Sequence, residues 1–318
     1  MATRSNGTKS GLQASDMAVW RALLACRSGA AQAEFAHAQA IFLAENGTLR
    51  ACAADAPPAV FVRTGAATWA PAPGLDPEAA ALAEIYLPIC TAPRERSFVV
   101  GHLGQSIDGY IATRSGDSDF VTGSENIRHL HRMRALADAV VVGAGTVASD
   151  DPALTTREVP GPNPLRVVLD PSRRLDATHR VFADGDAQTW LVCAEPLAAA
   201  PTHGEAEVIG LPCGDDGLAL DAVLATLHGR GYTRVFVEGG GVVVSRFLAA
   251  GLLQRLHVAV APLIIGDGRP GLQLPARDAL ADCLRPSTRV YRMGSDILFD
   301  CEPHAPSRER PTGLSRVY

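Results

Sequence analysis

Short runs that stay apolar at nearly every position, separated by helical stretches, constrain this chain more than any other feature. AVVVG (139–143), PLRVVLD (164–170), TWLVCA (189–194) and RVFVE (234–238) show almost no polar alternation. A strand that is apolar on both faces has to be covered on both, and helices between such strands imply parallel pairing through crossovers. Helices are expected over 124–137, 218–230 and 242–250. RLHVAVAPLII (255–265) and SDILFDC (295–301), with no helix between them, read as an antiparallel pair. The expected fold is therefore α/β: a mostly parallel twisted sheet flanked by helices, with antiparallel C-terminal strands, over residues 96–302. Ligands of such sheets sit beyond the carboxyl ends of the strands, where residues 104–109, 143–151 and 238–241 fall.

Residues 1–95 have a different, alanine-rich texture and read as a small α+β extension. MAVWRALLACR (17–27) has helical spacing, QAIFLAENGTLRACAA (39–54) reads as a hairpin turning at Asn46-Gly47, and PAVFVR (58–63) reads as a strand. PEAAALAEIYL (77–87) reads as a helix with proline in its first turn. No chemical motif lies there, so a packing or dimer-supporting role is expected. Residues 1–15 and 303–318 read as mobile tails.

The balance of 29 basic and 34 acidic side chains gives a net charge of −5, which carries no footprint for nucleic acid or an anionic membrane. No apolar run approaches the roughly 20 residues of a membrane span, and MATRSNGTKSGLQASD has no apolar signal core, so a cytoplasmic location is expected. Seven cysteines without a C-x-x-C pair read as reduced thiols.

Several residues stand out chemically. Gly239-Gly240-Gly241 follows a strand and opens a helix, which is either a bare tight turn or a set of free amides for a pyrophosphate; G-x-G-x-x-G itself is not satisfied. Glu238 ends an apolar strand, where a charge needs a ligand or a basic partner, unless it caps the neighbouring helix. Asp150-Asp151-Pro152 stops a helix, and its carboxylates suit hydroxyls. Arg134 and Arg157, with Ser118, suit a phosphate; the alternative is solvated surface arginine. Asp108 either stabilises a developing cation or closes a turn with Gly109. Ser172, Arg173 and Arg174 supply the hydroxyl and cations that a 2′-phosphate needs, which favours NADPH over NADH.

Three segments in order, SIDGYIATRSGDSDFVTGSENIRHLHRMR (106–134), VVVGAGTVASDDPALTTR (140–157) and VFVEGGG (235–241), resemble the pyrimidine reductase family of riboflavin biosynthesis, in a stand-alone form with an unrelated N-terminal extension. The resemblance implies a dihydrofolate-reductase-like fold, a homodimer, and metal-free hydride transfer from NADPH to the ribosyl group of a phosphorylated ribosylamino-pyrimidine, giving the ribityl form. It places Gly104, Phe120, Thr146, Asp150 and Gly240, Gly241, Val242 and Val243 by the cofactor. It places Ser118, Arg134, Leu154, Arg157 and Glu238 by the substrate. Asp108, Glu238 and His102 are the implied catalytic set. His102 stands where bacterial relatives usually carry lysine and archaeal ones asparagine, and Phe120 where tryptophan is common. A different heterocyclic substrate, or a nucleotide-binding scaffold without turnover, are the alternatives. Neither zinc-deaminase pattern, H-x-E or P-C-x-x-C, is expected here, although Pro212-Cys213 matches the first two letters of the second. Deamination and a bound metal are therefore not expected of this chain.

Overall fold

The structure, a computed structural model, describes residues 10–27, 38–44, 48–52, 59–65, 68–119 and 121–305. The Asn46-Gly47 turn, Phe120 and most of both expected tails lie outside them. The chain divides into two units, Met1–Pro93 and Arg94–Tyr318.

The first unit holds α1 (Ser10–Cys26), β1 (Ala40–Leu43), β2 (Leu49–Cys52), β3 (Ala59–Arg63), β4 (Trp69–Pro71) and α2 (Pro77–Cys90). Its strands form an antiparallel sheet in the order β2-β1-β3-β4. The two helices pack together, with Trp20 edge-on to Tyr86 at 6.1 Å between centroids. Asp76 caps α2 by accepting from the amides of Glu78 (3.1 Å) and Ala79 (3.0 Å), and Pro77 follows in the first position, where its missing N–H costs nothing.

The second unit contains β5 (Phe98–Ser106), β6 (Tyr110–Thr113), α3 (Ser124–Leu136), β7 (Ala139–Gly143), α4 (Ala144–Asp150), β8 (Leu165–Leu169), α5 (Arg180–Ala183) and β9 (Thr189–Ala194). It continues with β10 (Thr202–His203), β11 (Ala206–Leu211), β12 (Cys213–Gly214), β13 (Gly217–Leu218), α6 (Leu220–Gly229), β14 (Arg234–Glu238) and α7 (Gly241–Ala249). The C-terminal elements are β15 (Arg255–Ala261), β16 (Gly268–Pro270), β17 (Ser287–Met293) and β18 (Asp296–Glu302). Ten strands form one sheet in the order β10-β11-β9-β8-β7-β14-β5-β15-β18-β17. The strands from β11 to β15 pair in parallel, and β10, β18 and β17 add antiparallel edges. Every residue of β7, β8 and β14 is buried, including Arg166, Arg234 and Glu238 within the otherwise apolar β8 and β14. Among the described residues no helix is long and apolar enough to cross a membrane.

The sheet's two faces differ in chemistry. One is an apolar core in which Val99, Leu103, Val235 and Val237 pack with Val244 and Phe247 of α7. On the other, the register sets Glu238, His102, His257, Asp300 and Arg289 side by side across β14, β5, β15, β18 and β17. Helix α3 meets this row with polar side chains of its own: Asn126, His129, His131 and Arg134 are all buried. Buried polar groups persist only when partnered, and the strand pairing and α3 supply the partners.

Four elements go beyond the sequence expectation. A short helix, α4, runs up to the stop at Asp150-Asp151-Pro152 and is not among the helices expected over 124–137, 218–230 and 242–250. The strand β17 alternates polar and apolar residues as an edge strand. The short strands β6 and β16, of four and three residues, pair into a two-stranded antiparallel ribbon.

Candidate active site

A cavity of about 780 Å³ opens at the carboxyl ends of β5, β7, β8 and β14. The structure brings His102, Gly104, Ser118, Thr146, Asp150, Leu154, Glu238, Gly240, Gly241, Val242 and Val243 into its lining. These residues come from four separated segments, and the parallel strand order is what collects them.

Strand β14 delivers Glu238 to the cavity wall, 9% exposed. Its partner is Arg134, the last basic residue of α3. Arg134 Nε donates to Glu238 Oε2 at 2.7 Å, Nη2 donates to Oε1, and Nη1 donates to the carbonyl oxygen of Thr155 at 2.9 Å. Arg134 is not itself among the lining residues; its fork holds Glu238, which is, and the loop of residues 151–157. Arg157 is also absent from the lining. Its guanidinium donates to Thr155 Oγ1 at 2.6 Å and its amide to His131 Nδ1 at 2.8 Å. Arg134 and Arg157 thus meet at Thr155, Arg134 on its carbonyl oxygen and Arg157 on its hydroxyl.

His102 sits beside Glu238 in register and is 3% exposed. Its Nε2 lies 2.9 Å from Asn126 Oδ1, and Asn126 Nδ2 donates to Thr122 Oγ1 at 2.8 Å. That order makes Nε2 the donor. Burial, and then the neighbouring His257, pull its pKa down to about 4, so the ring is neutral at neutral pH. Behind it, His129 Nε2 is 3.1 Å from His257 Nδ1, and His257 Nε2 is 3.3 Å from Asp300 Oδ1. Asp300 is in turn gripped by Arg255 through two hydrogen bonds. Sequence reasoning missed Asn126, His129, His257 and Asp300. The available signal was the number of polar residues in a helix, SENIRHLHRMRAL, flanked by core strands.

Asp108, expected among the catalytic groups, does not line the cavity. Its carboxylate accepts from the Ser106 hydroxyl at 2.5 Å and from the amides of Gly266 (2.7 Å) and Ile265 (3.2 Å). The Ser106 hydroxyl first, then those amides, hold its pKa below the usual carboxylate range. Asp108 closes its own turn and anchors the loop that leads into β16.

At the cofactor end, Gly240 has φ +72° and starts α7 with no side-chain cap, so the first amides of the helix have no side-chain acceptor. A β-carbon on Gly241 would run into the carbonyl oxygen of Gly271. Glycine is required here by close approach of the backbone. A Gly241→Ala variant is expected to lose about 1–3 kcal/mol of stability from this overlap, read as a lower urea midpoint; an unchanged midpoint would show that the turn has room. Thr146 Oγ1 faces Gly240. Asp150 has its pKa raised by burial and then by Asp119, opposed by Arg269.

Of Ser172, Arg173 and Arg174, Arg174 lines the cavity. Arg173 has φ +50° and donates to the carbonyl oxygens of Leu197 (2.8 Å) and Thr202 (3.0 Å), which binds it to a neighbouring loop. Two further arginines in the lining, Arg246 and Arg269, come from α7 and β16. His203-Gly204-Glu205 does match H-x-E taken alone, but among the described residues no group of three or more His, Cys, Asp or Glu side chains is placed to hold a metal ion.

The RibD C-terminal domain family matches residues 97–298. The 2,5-diamino-6-ribosylamino-4(3H)-pyrimidinone 5′-phosphate reductase of Methanothermobacter thermautotrophicus is 35% identical over 214 residues, 64% of this chain and 97% of that protein. The reductase of the same description from Archaeoglobus fulgidus is 34% identical over 183 residues, 54% of this chain and 83% of that one. A crystal structure from Thermotoga maritima, a diaminohydroxyphosphoribosylaminopyrimidine deaminase/5-amino-6-(5-phosphoribosylamino)uracil reductase, shares 29% identity at a TM-score of 0.55, covering 71% of this chain and 61% of that one. The chain therefore spans about three fifths of the solved two-activity protein and nearly all of the Methanothermobacter reductase.

Proposed function

Since the chain belongs to the RibD C-terminal domain family, we propose that it reduces the ribosyl group of a phosphorylated ribosylamino-pyrimidine to the ribityl form in riboflavin or related biosynthesis, with NADPH as the hydride source. The observation that carries this reading is the pairing, in one cavity, of an uncapped glycine turn at the start of α7 with a buried carboxylate, Glu238, held by Arg134.

The residues present fit a nicotinamide dinucleotide. The glycine turn at the start of α7, which has no side-chain cap, suits a pyrophosphate, Thr146 and Asp150 suit ribose hydroxyls, and Arg174 suits a 2′-phosphate. A bound reduced nicotinamide would supply the hydride. The chain's own groups do the rest. Glu238 keeps lone pairs on both oxygens beyond those used by Arg134, and these are positioned to accept hydrogen bonds from sugar hydroxyls. Its charge is fixed rather than mobile, so it favours positive charge that develops on the sugar–nitrogen unit as the reaction proceeds. His102 and Asn126 present a neutral, hydrogen-bonded wall to the same end of the cavity, and Leu154, with φ +52°, turns an apolar side chain towards it.

Arg174 makes the cofactor choice testable. Wild-type protein is expected to bind NADPH at least about tenfold more tightly than NADH, and Arg174→Ala is expected to lose that preference while Arg173→Ala keeps it. Fluorescence titration with both nucleotides measures this; an unchanged preference in Arg174→Ala would remove Arg174 from the 2′-phosphate. The reduction itself is tested by following NADPH oxidation at about 340 nm, the wavelength of reduced-nicotinamide absorbance, with the deaminated and undeaminated pyrimidines separately. No oxidation with either would leave the other-heterocycle or scaffold reading. A homodimer and a cytoplasmic location are part of the same proposal. The homodimer is supported by a row of side chains, Val258, Phe299 and Val290, across β15, β18 and β17, of which Phe299 (36%) and Val290 (40%) are exposed.

A further inference from the structure

If the function proposed above holds, the flat heterocycle of the substrate needs an apolar surface beside the Glu238 carboxylate, and Leu154 offers one from the loop after α4. The leucine does so at a cost. Leu154 has φ +52° and Asp151 φ +39°, left-handed conformations that residues other than glycine seldom adopt. A strained backbone of this kind persists only where its surroundings over-determine it. Ala153, Leu154 and Thr155 are all buried, so whatever grips the backbone of this loop decides where the leucine points.

Alternate residues of the loop are tied by side chains of remote elements. Arg166 Nη1 donates to the carbonyl oxygen of Ala153 at 3.1 Å, Arg134 Nη1 donates to that of Thr155 at 2.9 Å, and the Arg157 amide donates to His131 Nδ1 at 2.8 Å. Leu154 is thus bracketed by two guanidinium groups. Arg134 has a second task in holding Glu238, whereas Arg166 touches nothing that lines the cavity. It lies on β8, fully buried, where a cation is tolerated only if its donors are used. The remaining donors of Arg166 point to the connection between α5 and β9. Nε donates to Thr189 Oγ1 at 2.8 Å, Nη1 also to Asp184 Oδ2 at 2.9 Å, and Nη2 to the carbonyl oxygen of Ala187 at 2.8 Å. Arg166 is therefore a crosspiece between the loop of Leu154 and the edge of the next strand. A planar fork fixes the direction of each acceptor, which a flexible ammonium group does not.

We propose that Arg166 is a positioning residue for substrate binding: from behind the cavity it holds Leu154 in its left-handed conformation and so keeps the leucine against the pyrimidine. The inference rests on the reductase reading, so one arm of its test needs no turnover. Arg166→Gln keeps a donor within reach of Thr189 but is too short to meet Ala153. Arg166→Lys keeps the charge opposite Asp184 on a single nitrogen. Asp184→Asn weakens the same cluster while leaving the link to Ala153 in place. Hydrogen exchange at the amides of residues 153–157 in the ligand-free protein should quicken roughly tenfold in Arg166→Gln, less in Arg166→Lys, and stay near wild type in Asp184→Asn. With the pyrimidine phosphate, KM should rise about tenfold in Arg166→Gln, with kcat and NADPH affinity near wild type. Leu154→Ala should raise KM likewise, and adding Arg166→Gln to it should raise KM little further, because both act through one side chain. Should Arg166→Gln not fold, Arg166→Lys carries the same comparisons. Additive effects on KM, unchanged exchange in the loop, or equal changes of KM in Arg166→Gln and Asp184→Asn that follow their melting temperatures would overturn the proposal and leave Arg166 a structural brace. No turnover by wild type with any pyrimidine would instead refute the reductase reading, and with it the link to substrate, while exchange alone decides whether Arg166 sets the loop.

Discussion

Replacing Arg134 by alanine is expected to destabilise the fold by about 3–5 kcal/mol, because it strands the Glu238 carboxylate in a site where it is 9% exposed. The same change removes the Nη1 hydrogen bond to Thr155, which holds the loop bearing Leu154 and Arg157. Urea unfolding measures the loss. A double variant, Arg134→Met with Glu238→Met, should recover much of it, since replacing both members of a buried pair by apolar groups is often close to neutral for stability. Activity should not return with stability, because the carboxylate that faces the sugar has gone. The reading of Arg134 as a phosphate ligand predicts the reverse pattern: near-normal stability, a raised substrate KM, and no benefit from the second substitution. Wild-type stability in Arg134→Ala would therefore refute the buried-pair geometry.

Acid should weaken this protein well above the pH at which its carboxylates protonate. His102 has its pKa lowered from 6.5 to about 4, chiefly by burial; His129 is lowered well below 6.5, chiefly by burial; His131 is lowered to about 4 by burial and then by Arg134. An unfolded chain takes up protons on these rings as pH falls through 6.5, while in the folded chain His102 and His131 refuse them until about pH 4 and buried His129 resists them as well. Stability is therefore complete above about pH 7 and falls as pH drops towards 4. His102 alone accounts for about 3 kcal/mol across that window, at 1.36 kcal/mol per pH unit. Asp300, held down at about 2 even though burial, its largest influence, acts the other way, adds no acid sensitivity until pH falls below its unfolded value of 3.8. Its lowering comes from His257 and Arg255. Urea midpoints measured from pH 7.5 to 4.5 should fall steadily, and a His129→Gln variant should flatten the slope. A flat wild-type profile would mean that the rings are hydrated or already charged in the folded state.

The strands and helices of the second unit were legible because their signals are local. AVVVG and RVFVE can be buried on both faces only inside a covered sheet, and the glycines after RVFVE mark a strand-to-helix turn wherever they occur. The elements that escaped notice lack such signals. Helix α4 has seven residues, too few for a clear helical period, and β6 and β16 become strands only by pairing with each other across more than a hundred residues.

The sequence by itself determined the fold class, the positions of the loops at the carboxyl ends of the strands, and the residue types that gather there, since each follows from patterning over a few neighbouring residues. Which charge meets which was decided by the tertiary structure alone. Arg134 and Arg157 read alike, as phosphate-suited arginines, when they are only letters in a sequence. Strand register places Glu238 against the end of α3 and commits Arg134 to a buried pair, while Arg157 turns back on Thr155 and gives its amide to His131. Electrostatic partnership depends on distances between residues remote in sequence, and it falls off over a few ångströms once solvent enters, so only the assembled sheet settles it.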